Sequence, residues 1–326
     1  MSPCSNQCTR LYVVALGKLF ADCHIKVEKA LEGQFLALTC DHWTANSKES
    51  FIAITAHWID NDWYLRSGAL ACARHTGRSQ AEDVIKEIKD QYAKYERLRF
   101  NQVVGLVSDT ASNMCSMGKL FMEPGPEYLP WFGCFAHLLE LTTKHAFSDE
   151  YLPGCGDVMK KCRDICTYFG HSTQALDILK GIQRNQNVNA VGTVQDVVTR
   201  WWSTLAMLER LLKLRSFIQL GVQAEPTPHW AQERTCTDAQ WITVQHVVEV
   251  LKPFHIAQQM LEGQTYVTIS LVPYMVDRIR KKLHHTMTAH TDLSIRVLGK
   301  KLYEDYIIRW GNGADDTVFD MHKTLG

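Results

Sequence analysis

The sequence predicts an α/β protein in which a mixed β-sheet, flanked by helices, is followed by an all-helical region. Three observations support this prediction. Three short segments rich in β-branched and aromatic residues follow one another closely in the first quarter of the chain. Apolar runs then alternate with segments of helical spacing, and the second half of the chain carries mainly amphipathic helical patterns.

The first three predicted strands form an antiparallel meander. They cover Phe35–Cys40, Phe51–Trp58 and Trp63–Leu70. The third follows the turn-like sequence Asp60-Asn61-Asp62, and both connections are too short for a crossover between parallel strands.

The next elements alternate between helix and strand. Apolar residues at helical spacing predict a helix over Gln80–Tyr95, and a continuously apolar run predicts a strand buried on both faces over Gln102–Ser108. A helix over Ser112–Phe121, a strand over Trp131–Phe135 and a helix from about Ala136 to Phe147 complete the series. The order β-β-β-α-β-α-β-α is typical of an RNase H-like core.

The remaining chain is predicted to be helical, apart from an Asn- and Gln-rich loop over Gln183–Val194. The helical segments are Cys155–Phe169, Gln174–Ile182, Ser203–Leu220, Asp238–Leu261 and Ser270–His284. We therefore expect an N-terminal helical segment (residues 1–30), an RNase H-like core (31–170), an all-α insertion domain (171–300) and a divergent tail (301–326).

The composition argues against several classes of protein. Of 326 residues 46% are hydrophobic, and 35 Lys and Arg residues balance 35 Asp and Glu residues, so no overall positive field attracts nucleic acid. No apolar run reaches the ~18 residues that a membrane span needs. The 11 Cys residues are odd in number and scattered, which argues against a disulfide scaffold. We expect a soluble, intracellular globular protein with no membrane association.

Two aspartates stand at the ends of predicted strands. Asp41 follows the first strand, and Asp109 follows the fourth, buried strand. If these strands are neighbours, both carboxylates emerge at one sheet edge, where a carboxylate pair can bind Mg²⁺ or Mn²⁺ and act on a phosphodiester. The alternative is that each residue caps the element that follows, as Asp109-Thr110-Ala111-Ser112 suggests for the next helix.

Two further motifs leave alternatives open. Cys134 and His137 could be half of a zinc site, a redox pair or core residues, and core packing is favoured because the other half of a zinc site is not recognisable. Arg200 and Trp201 open a helix. The Trp201 ring is either a core residue or a surface that stacks on an unpaired base. In the second case, Arg200 beside it contacts phosphate.

A basic stripe lies between residues 277 and 301, where seven Lys and Arg residues stand against two Asp residues. Such a stripe either follows a phosphate backbone or forms a solvated helix face. The basic residues are Arg278, Arg280, Lys281, Lys282, Arg296, Lys300 and Lys301.

Five ordered motifs resemble the hAT transposase superfamily, and within it the zinc finger BED-type proteins, which are host proteins derived from such transposases. The motifs are Thr39–Thr44, Ala56–Asp60, Val107–Met114, Cys134–Leu141 and Thr199–Leu208. With Leu251–Phe254, they extend the resemblance over roughly residues 25–285.

The resemblance implies an RNase H-like catalytic core interrupted by an all-helical insertion, in a nuclear protein. In the family two Asp and a distant Glu bind divalent metal ions, and Asp41 and Asp109 match the two Asp positions. Cys134 and His137 match a Cys-x-x-His that engages DNA. Trp201, which follows Arg200, matches the Trp that stacks on a flipped base.

The sequence departs from the family at its third acid and at its DNA-reading finger. Neither the Ser-x-x-x-Ser-Glu-Arg-type motif that carries the family's Glu nor the BED finger is recognisable in this sequence. We therefore expect Asp41 and Asp109 to be a vestigial metal-binding pair, with Mg²⁺ or Mn²⁺ as the cofactor where activity remains and no cofactor otherwise. DNA is the expected partner, bound weakly without the finger.

Three hypotheses follow. The favoured one is a transposase-derived nuclear protein, or a partial gene product, that acts as a non-catalytic DNA-associated or transcription-regulatory module. The second is a residual metal-dependent nuclease or strand-transfer activity, with Glu249 or Asp277 supplying the third acid. The third is a protein-interaction scaffold without nucleic acid. Protein partners and self-association stay open.

Overall fold

The computed structural model describes residues 3–75, 80–197, 201–224, 233 and 235–310. The chain divides into two compact units: Met1–His137 with Gly263–Val267, and Leu138–Glu262 with Thr268–Gly326. This division at His137 falls earlier than the core boundary expected at residue 170. Within the described residues, no helix is both long and apolar enough to span a membrane.

The first unit is a mixed α/β structure built on a five-stranded sheet in the order β3-β2-β1-β4-β5. Its strands are β1 (Leu36–Thr44), β2 (Ser50–Ile59), β3 (Leu65–His75), β4 (Val103–Ser108) and β5 (Trp131–Gly133). Its helices are α1 (Pro3–Leu31), α2 (Ala81–Tyr92), α3 (Ser112–Phe121) and the start of α4 (Phe135–Thr143), with a 3₁₀ turn at Phe100–Gln102.

The predicted antiparallel meander is confirmed, because β1 pairs antiparallel with β2 and β2 pairs antiparallel with β3. Strands β4 and β5 add in parallel on the other edge of β1. β3 begins and ends later than predicted, since its pairing with β2 runs from Leu65 opposite Ile59 to His75 opposite Ser50.

One face of the sheet forms the core of the first unit. Alternate residues of β1 and β2 are buried on this face: Leu36, Leu38, Cys40, Ile52, Ile54 and Ala56. Side chains of α2 and α3 belong to the same cluster: Val84, Ile88, Met114, Met117 and Phe121. Each buried aliphatic side chain contributes about 1.5–3 kcal/mol. The register is therefore fixed, and the residues between them face the other way.

The expectation that β4 is buried on both faces is met only in part. Its pairing with β1 skips Val104 between the partners of Leu36 and Ala37, and the Val104 side chain is 51% exposed. Val104 is thus the extra residue of a β-bulge. From Gly105 to Ser108 the strand pairs regularly with β1.

The described residues of the second unit form helices joined by loops and turns, with no β-strand among them. After the remainder of α4 it contains α5 (Cys155–His171), α6 (Thr173–Asn185), α7 (Trp201–Gly221), α8 (Asp238–Leu261), α9 (Val272–Ala289) and α10 (Leu293–Trp310), with a 3₁₀ turn at Ile269–Leu271. Helices α5 to α9 were predicted, with ends that differ by a few residues. Helix α10 was missed and enters the expected tail, although its buried residues recur at helical spacing: Ile295, Leu298, Leu302 and Tyr306.

A buried carboxylate organises the connection between α6 and α7. The Asp196 side chain is fully buried and accepts hydrogen bonds from Arg163 of α5 (Nη2 to Oδ2, 2.9 Å) and from the Thr204 hydroxyl of α7 (3.0 Å). Burial alone would raise the pKa of Asp196, but these hydrogen bonds outweigh it and hold that pKa below its usual value. The connection is thereby tied to both helices.

We expect Gly118→Ala to destabilise the first unit by about 1–3 kcal/mol, because overpacking a filled core costs about that much. A Cβ at Gly118 would overlap the ring of Trp131, whose Nε1–H donates to Ser108 Oγ at 2.9 Å. The measurement is the urea unfolding midpoint. The control is Gly17→Ala in α1, where an added Cβ contacts nothing within 4 Å and helix propensity should stabilise by up to ~1 kcal/mol. An unchanged midpoint for Gly118→Ala contradicts this prediction.

The Asp196 carboxylate should make the free energy of unfolding of the second unit depend on pH. Because its folded pKa lies below the unfolded value of about 3.9, its contribution is present at neutral pH and is lost as the pH falls below that value. We expect Asp196→Asn to cost about 1.5–3 kcal/mol at pH 7 and the cost to shrink towards pH 3, measured by urea unfolding across pH. The exposed Asp238, which pairs with Arg215, is the control, because Asp238→Asn should change stability by less than ~1 kcal/mol. A pH-independent cost would refute the assignment.

Candidate functional site

The two predicted acids lie next to each other in the first unit. Strands β1 and β4 are parallel neighbours whose last paired residues are Cys40 and Ser108, and Asp41 and Asp109 immediately follow them. Parallel strands present their carboxyl ends at the same edge of a sheet. The predicted convergence of the two carboxylates at this edge therefore follows from the pairing register.

Asp41 does not end β1, contrary to expectation. The strand continues to Thr44 by pairing with β2 alone, with Asp41 opposite Ala53 and Thr44 opposite Ser50. Because side chains alternate along a strand, Asp41 lies on the face opposite the buried Cys40. The carboxylate is consequently accessible to solvent and is held on a regular strand rather than on a loop.

The electrostatics of the pair reflect this proximity. Partial burial and the negative charge of Asp109 both raise the pKa of Asp41. Burial, with the charges of Asp41 and Asp109, also raises the pKa of Cys40 to about 12 and keeps that thiol neutral. Two carboxylates that repel each other at one sheet edge form a pair that a divalent cation would stabilise.

Asp109 helps to start α3, although it is not itself the N-cap residue of that helix. Asp109 Oδ1 accepts the backbone N–H of Ala111 at 2.9 Å, which makes a turn leading into α3. Ala111, and not Asp109, is the residue that precedes the first helical position. The turn fixes the direction of the Asp109 carboxylate beside Asp41, so local structure and a metal-binding role are compatible.

Cys134 lies beside the same two acids. Its backbone N–H donates to the Ser108 carbonyl at 2.6 Å, which places it directly after β5. Burial raises the pKa of the Cys134 thiol, the backbone N–H groups of His137 and Ala136 act in the opposite direction, and the charges of Asp41 and Asp109 raise it further. The sulfur thus contacts the first turn of α4, on which His137 also lies. Contact of Cys134 and His137 with DNA stays a prediction.

A histidine pair on the core face was not predicted from the sequence. The rings of His42 and His75 meet edge to face with centroids 5.2 Å apart. Burial and His75 lower the pKa of His42, and the charge of Asp109 acts in the opposite direction. The signal in the sequence was present, because residues 40 and 42 alternate with Asp41 along β1.

Other predicted site residues are placed differently or lie outside the described residues. Arg200 and the side chain of Trp201 are among the latter. In the second unit, Glu249 pairs with Lys282 at 3.0 Å, and Asp277 pairs with Arg280 and Lys281. Among the described residues there is no group of three or more His, Cys, Asp or Glu side chains that could hold a metal ion. Metal binding by the two carboxylates of Asp41 and Asp109 therefore stays a prediction.

Four of the seven residues of the basic stripe pair with acids of the second unit. Besides the ion pairs of Glu249 and Asp277, Lys300 lies 3.9 Å from Glu304. Arg278 donates to the Tyr274 hydroxyl at 2.6 Å and lies over its ring. This pairing favours the solvated helix face over a track for a phosphate backbone.

Comparison with known proteins matches two family models to the chain. Residues 39–122 match the ZBED1 RNase-like domain, and residues 132–250 match the ZBED1 RNase-like helical domain. Together the two matches cover more than half of the chain. The first of them contains Asp41 and Asp109.

Individual relatives are distant but align over most of the chain. Zinc finger BED domain-containing protein 6 of Homo sapiens is 24% identical over 315 residues, 92% of this chain and 29% of that protein. The "Putative transcriptional regulator tpeD" of Talaromyces stipitatus is 22% identical over 84% of this chain and 36% of its own length. The "Putative AC transposase" of Zea mays is 23% identical over 79% of this chain and 33% of its own length. The chain thus spans about a third of the length of these relatives.

The repulsion between the two acids can be tested without any metal ion. We expect Asp109→Asn to lower the pKa of Asp41, because the neighbouring negative charge is removed while the strand is kept. The measurement is a carboxyl ¹³C NMR titration. Asp60 is an internal control, because its low pKa depends on the Tyr64 backbone N–H and on Arg66 and should not move. An unchanged pKa of Asp41 would show that the carboxylates do not interact.

Proposed function

Because the chain belongs to the hAT transposase-like proteins of the zinc finger BED type, we propose that it is a transposase-derived, DNA-associated regulatory module that binds a divalent metal ion at Asp41 and Asp109. The observation that carries this proposal is the parallel register of β1 and β4, which ends at Cys40 and Ser108 and so sets the next residues, Asp41 and Asp109, side by side. The family membership supports DNA as the partner, and the acid pair is the proposed metal site.

We infer an RNase H-like fold for the first unit and an inserted helical domain for the second. Three antiparallel strands followed by two parallel strands on the other edge of β1 support this inference. The description of the matched family models, an RNase-like domain followed by an RNase-like helical domain, supports it too. In such a fold, the acid pair lies at the edge of the sheet that is used for phosphodiester chemistry.

The residues at the pair suit a hard divalent cation. Carboxylate oxygens are the ligands that Mg²⁺ and Mn²⁺ prefer in proteins. Burial and, to a smaller extent, the charge of Asp109 raise the pKa of Asp41, and a cation would relieve the repulsion between the two charges. A bound ion would supply Lewis-acid polarisation of a phosphoryl oxygen. The protein itself holds Asp41 on a strand, orients Asp109 through the Ala111 N–H and keeps the adjacent Cys134 thiol protonated.

A regulatory role in association with DNA is proposed from the relatives. Their names describe BED-type zinc finger proteins and a transcriptional regulator. A nuclear location follows for a protein of that kind. The resemblance to the family implies that Cys134 and His137 contact DNA, and Cys134 lies beside the carboxylate pair.

Metal-dependent cleavage or transfer of a DNA strand is the second candidate function. The acid pair favours it, as do relatives named as AC transposases. Such chemistry needs a third acid to complete the metal ligands. Glu249 and Asp277 are each held in ion pairs with lysine or arginine within the second unit, which makes them unsuited to that role.

Isothermal titration with Mn²⁺ tests the metal site. We expect saturable binding by the wild-type chain and a loss of at least about tenfold in affinity, or ~1.4 kcal/mol, in both Asp41→Asn and Asp109→Asn, because each removes one charged oxygen ligand. Asp62→Asn, at the β2–β3 turn, is the matched control and should bind like wild type.

The outcomes separate the candidate functions. Binding that survives in both acid variants, or no binding by a folded wild type, removes the metal site. If the site is present, release of labelled fragments from nicked or hairpin DNA in Mn²⁺ would favour strand cleavage. Retention of DNA without cleavage would favour the regulatory module, and no DNA binding under any condition would leave the protein-interaction scaffold.

A further inference from the structure

Three side chains form a row across β1, β2 and β3, near the sheet edge where Asp41 and Asp109 lie. Trp43 of β1 is opposite Phe51 of β2, and Phe51 is opposite Arg74 of β3. All three lie on the face opposite the core, since their neighbours Ile52 and His75 are on the core side. We call Trp43, Phe51 and Arg74 the aromatic row.

The aromatic row lies directly beside the acid pair. Asp41 and Trp43 are two residues apart on β1 and therefore share a face, with a separation of roughly 7 Å along the strand. The residues in register with Asp41 are small, Ala53 on β2 and Cys72 on β3. This leaves a shallow strip of surface between the row and the carboxylates that no large side chain of β2 or β3 fills.

The rings of the row present an accessible aromatic surface. Trp43 and Phe51 stack with centroids 5.7 Å apart and planes inclined by 19°. Trp43 is 41% exposed and Phe51 is partly buried, so the accessible aromatic area belongs mainly to Trp43. Base–aromatic stacking contributes about 1–3 kcal/mol per base and accepts any base, because every base has a π-face.

Arg74 supplies a positive charge at the end of the row. Its Nη2 lies 3.1 Å from Oε1 of Glu49, and both side chains are exposed. An exposed ion pair of this kind contributes only about 0–1 kcal/mol. A phosphate can therefore replace Glu49, and phosphate gains more from the guanidinium because it can accept two parallel hydrogen bonds.

We propose that the aromatic row binds one unpaired nucleotide of a single DNA strand, with the base against Trp43 and Phe51 and the phosphate at Arg74. The proposal rests on the proposed association with DNA. A nucleotide suits the row because it combines a flat apolar face with a negative group, which matches two rings followed by an arginine. It also accounts for the exposure of the Trp43 ring beside the carboxylates of Asp41 and Asp109.

The charge of the acid pair should change the affinity of the aromatic row for DNA. Without a cation, Asp41 and Asp109 repel the adjacent phosphate of the same strand. A divalent ion at the pair reverses that charge effect. Binding of single-stranded DNA at the row should consequently be stronger in Ca²⁺ or Mg²⁺ than in EDTA at matched ionic strength.

The test is fluorescence anisotropy of a labelled oligothymidylate titrated with the full chain in Ca²⁺. Trp43→Ala should weaken binding by about 5- to 150-fold, corresponding to the ~1–3 kcal/mol of one stacked base. Trp43→Phe should retain most of the affinity. The matched control is Trp63→Ala at the β2–β3 turn, which removes a Trp that is 86% exposed at the opposite end of β2. That variant should bind like wild type.

Substitutions in the Arg74–Glu49 ion pair give a second test, because a purely structural role predicts a different change in DNA affinity. Arg74→Gln should weaken binding, and Glu49→Gln should strengthen it, because removal of the competing carboxylate frees the guanidinium. If the pair served only to stabilise the hairpin, both substitutions would act in the same direction. Opposite effects therefore support the proposal, and equal effects overturn it.

The outcomes distinguish this proposal from the proposed function. No binding of single- or double-stranded DNA by the wild type, with or without divalent ions, would remove both. Binding that Trp43→Ala and Trp63→Ala weaken equally, or not at all, would overturn the aromatic row and leave the DNA-associated module standing. Duplex binding without single-strand binding would likewise overturn the row alone.

Discussion

The parallel pairing of β1 with β4 is the constraint on which the rest of the first unit depends. It joins a strand from the meander to a strand that follows α2, and it fixes Cys40 opposite Ser108. Both of these residues are buried on the core face, so a shift by one residue would move the apolar set of β1 to the solvent side. The hydrophobic core therefore determines which side chains appear at the carboxyl edge of the sheet.

The chemistry of the edge follows from that register. Asp41 and Asp109 come one residue after the paired buried residues, and burial together with the charge of Asp109 raises the pKa of Asp41. The Ser108 carbonyl accepts the N–H of Cys134, which brings the start of α4 to the same place. The Ser108 hydroxyl accepts the indole N–H of Trp131, which packs against α3 at Gly118. One buried serine thus links the core, the acid pair and two helices.

The two units use polar groups differently. In the second unit, Asp196 is buried, and Arg163 and Thr204 satisfy it, so its charge serves to hold helices together. In the first unit, Asp41 is accessible and lies beside another acid, an arrangement that costs stability unless a cation or a proton neutralises it. The same residue type is structural in one place and available for binding in the other, and the difference lies in its neighbours.

The sequence by itself determined most of the elements and the position of Asp109 directly after β4, whereas the continuation of β1 beyond Asp41 was not predicted. Alternation and helical spacing located the meander, α3 and α8, because these patterns depend on residues that are close in the chain. Helix α10 was not predicted, although its buried residues recur at helical spacing.

Only the tertiary structure decided which strands are neighbours, and hence which side chains meet. Trp43, Phe51 and Arg74 form a row because three strands pair in one register, and no local pattern connects them. The partners of Asp196 come from helices on either side of it in the sequence, for the same reason. Pairing between distant segments is set by the burial of the whole core, which a short stretch of sequence does not contain.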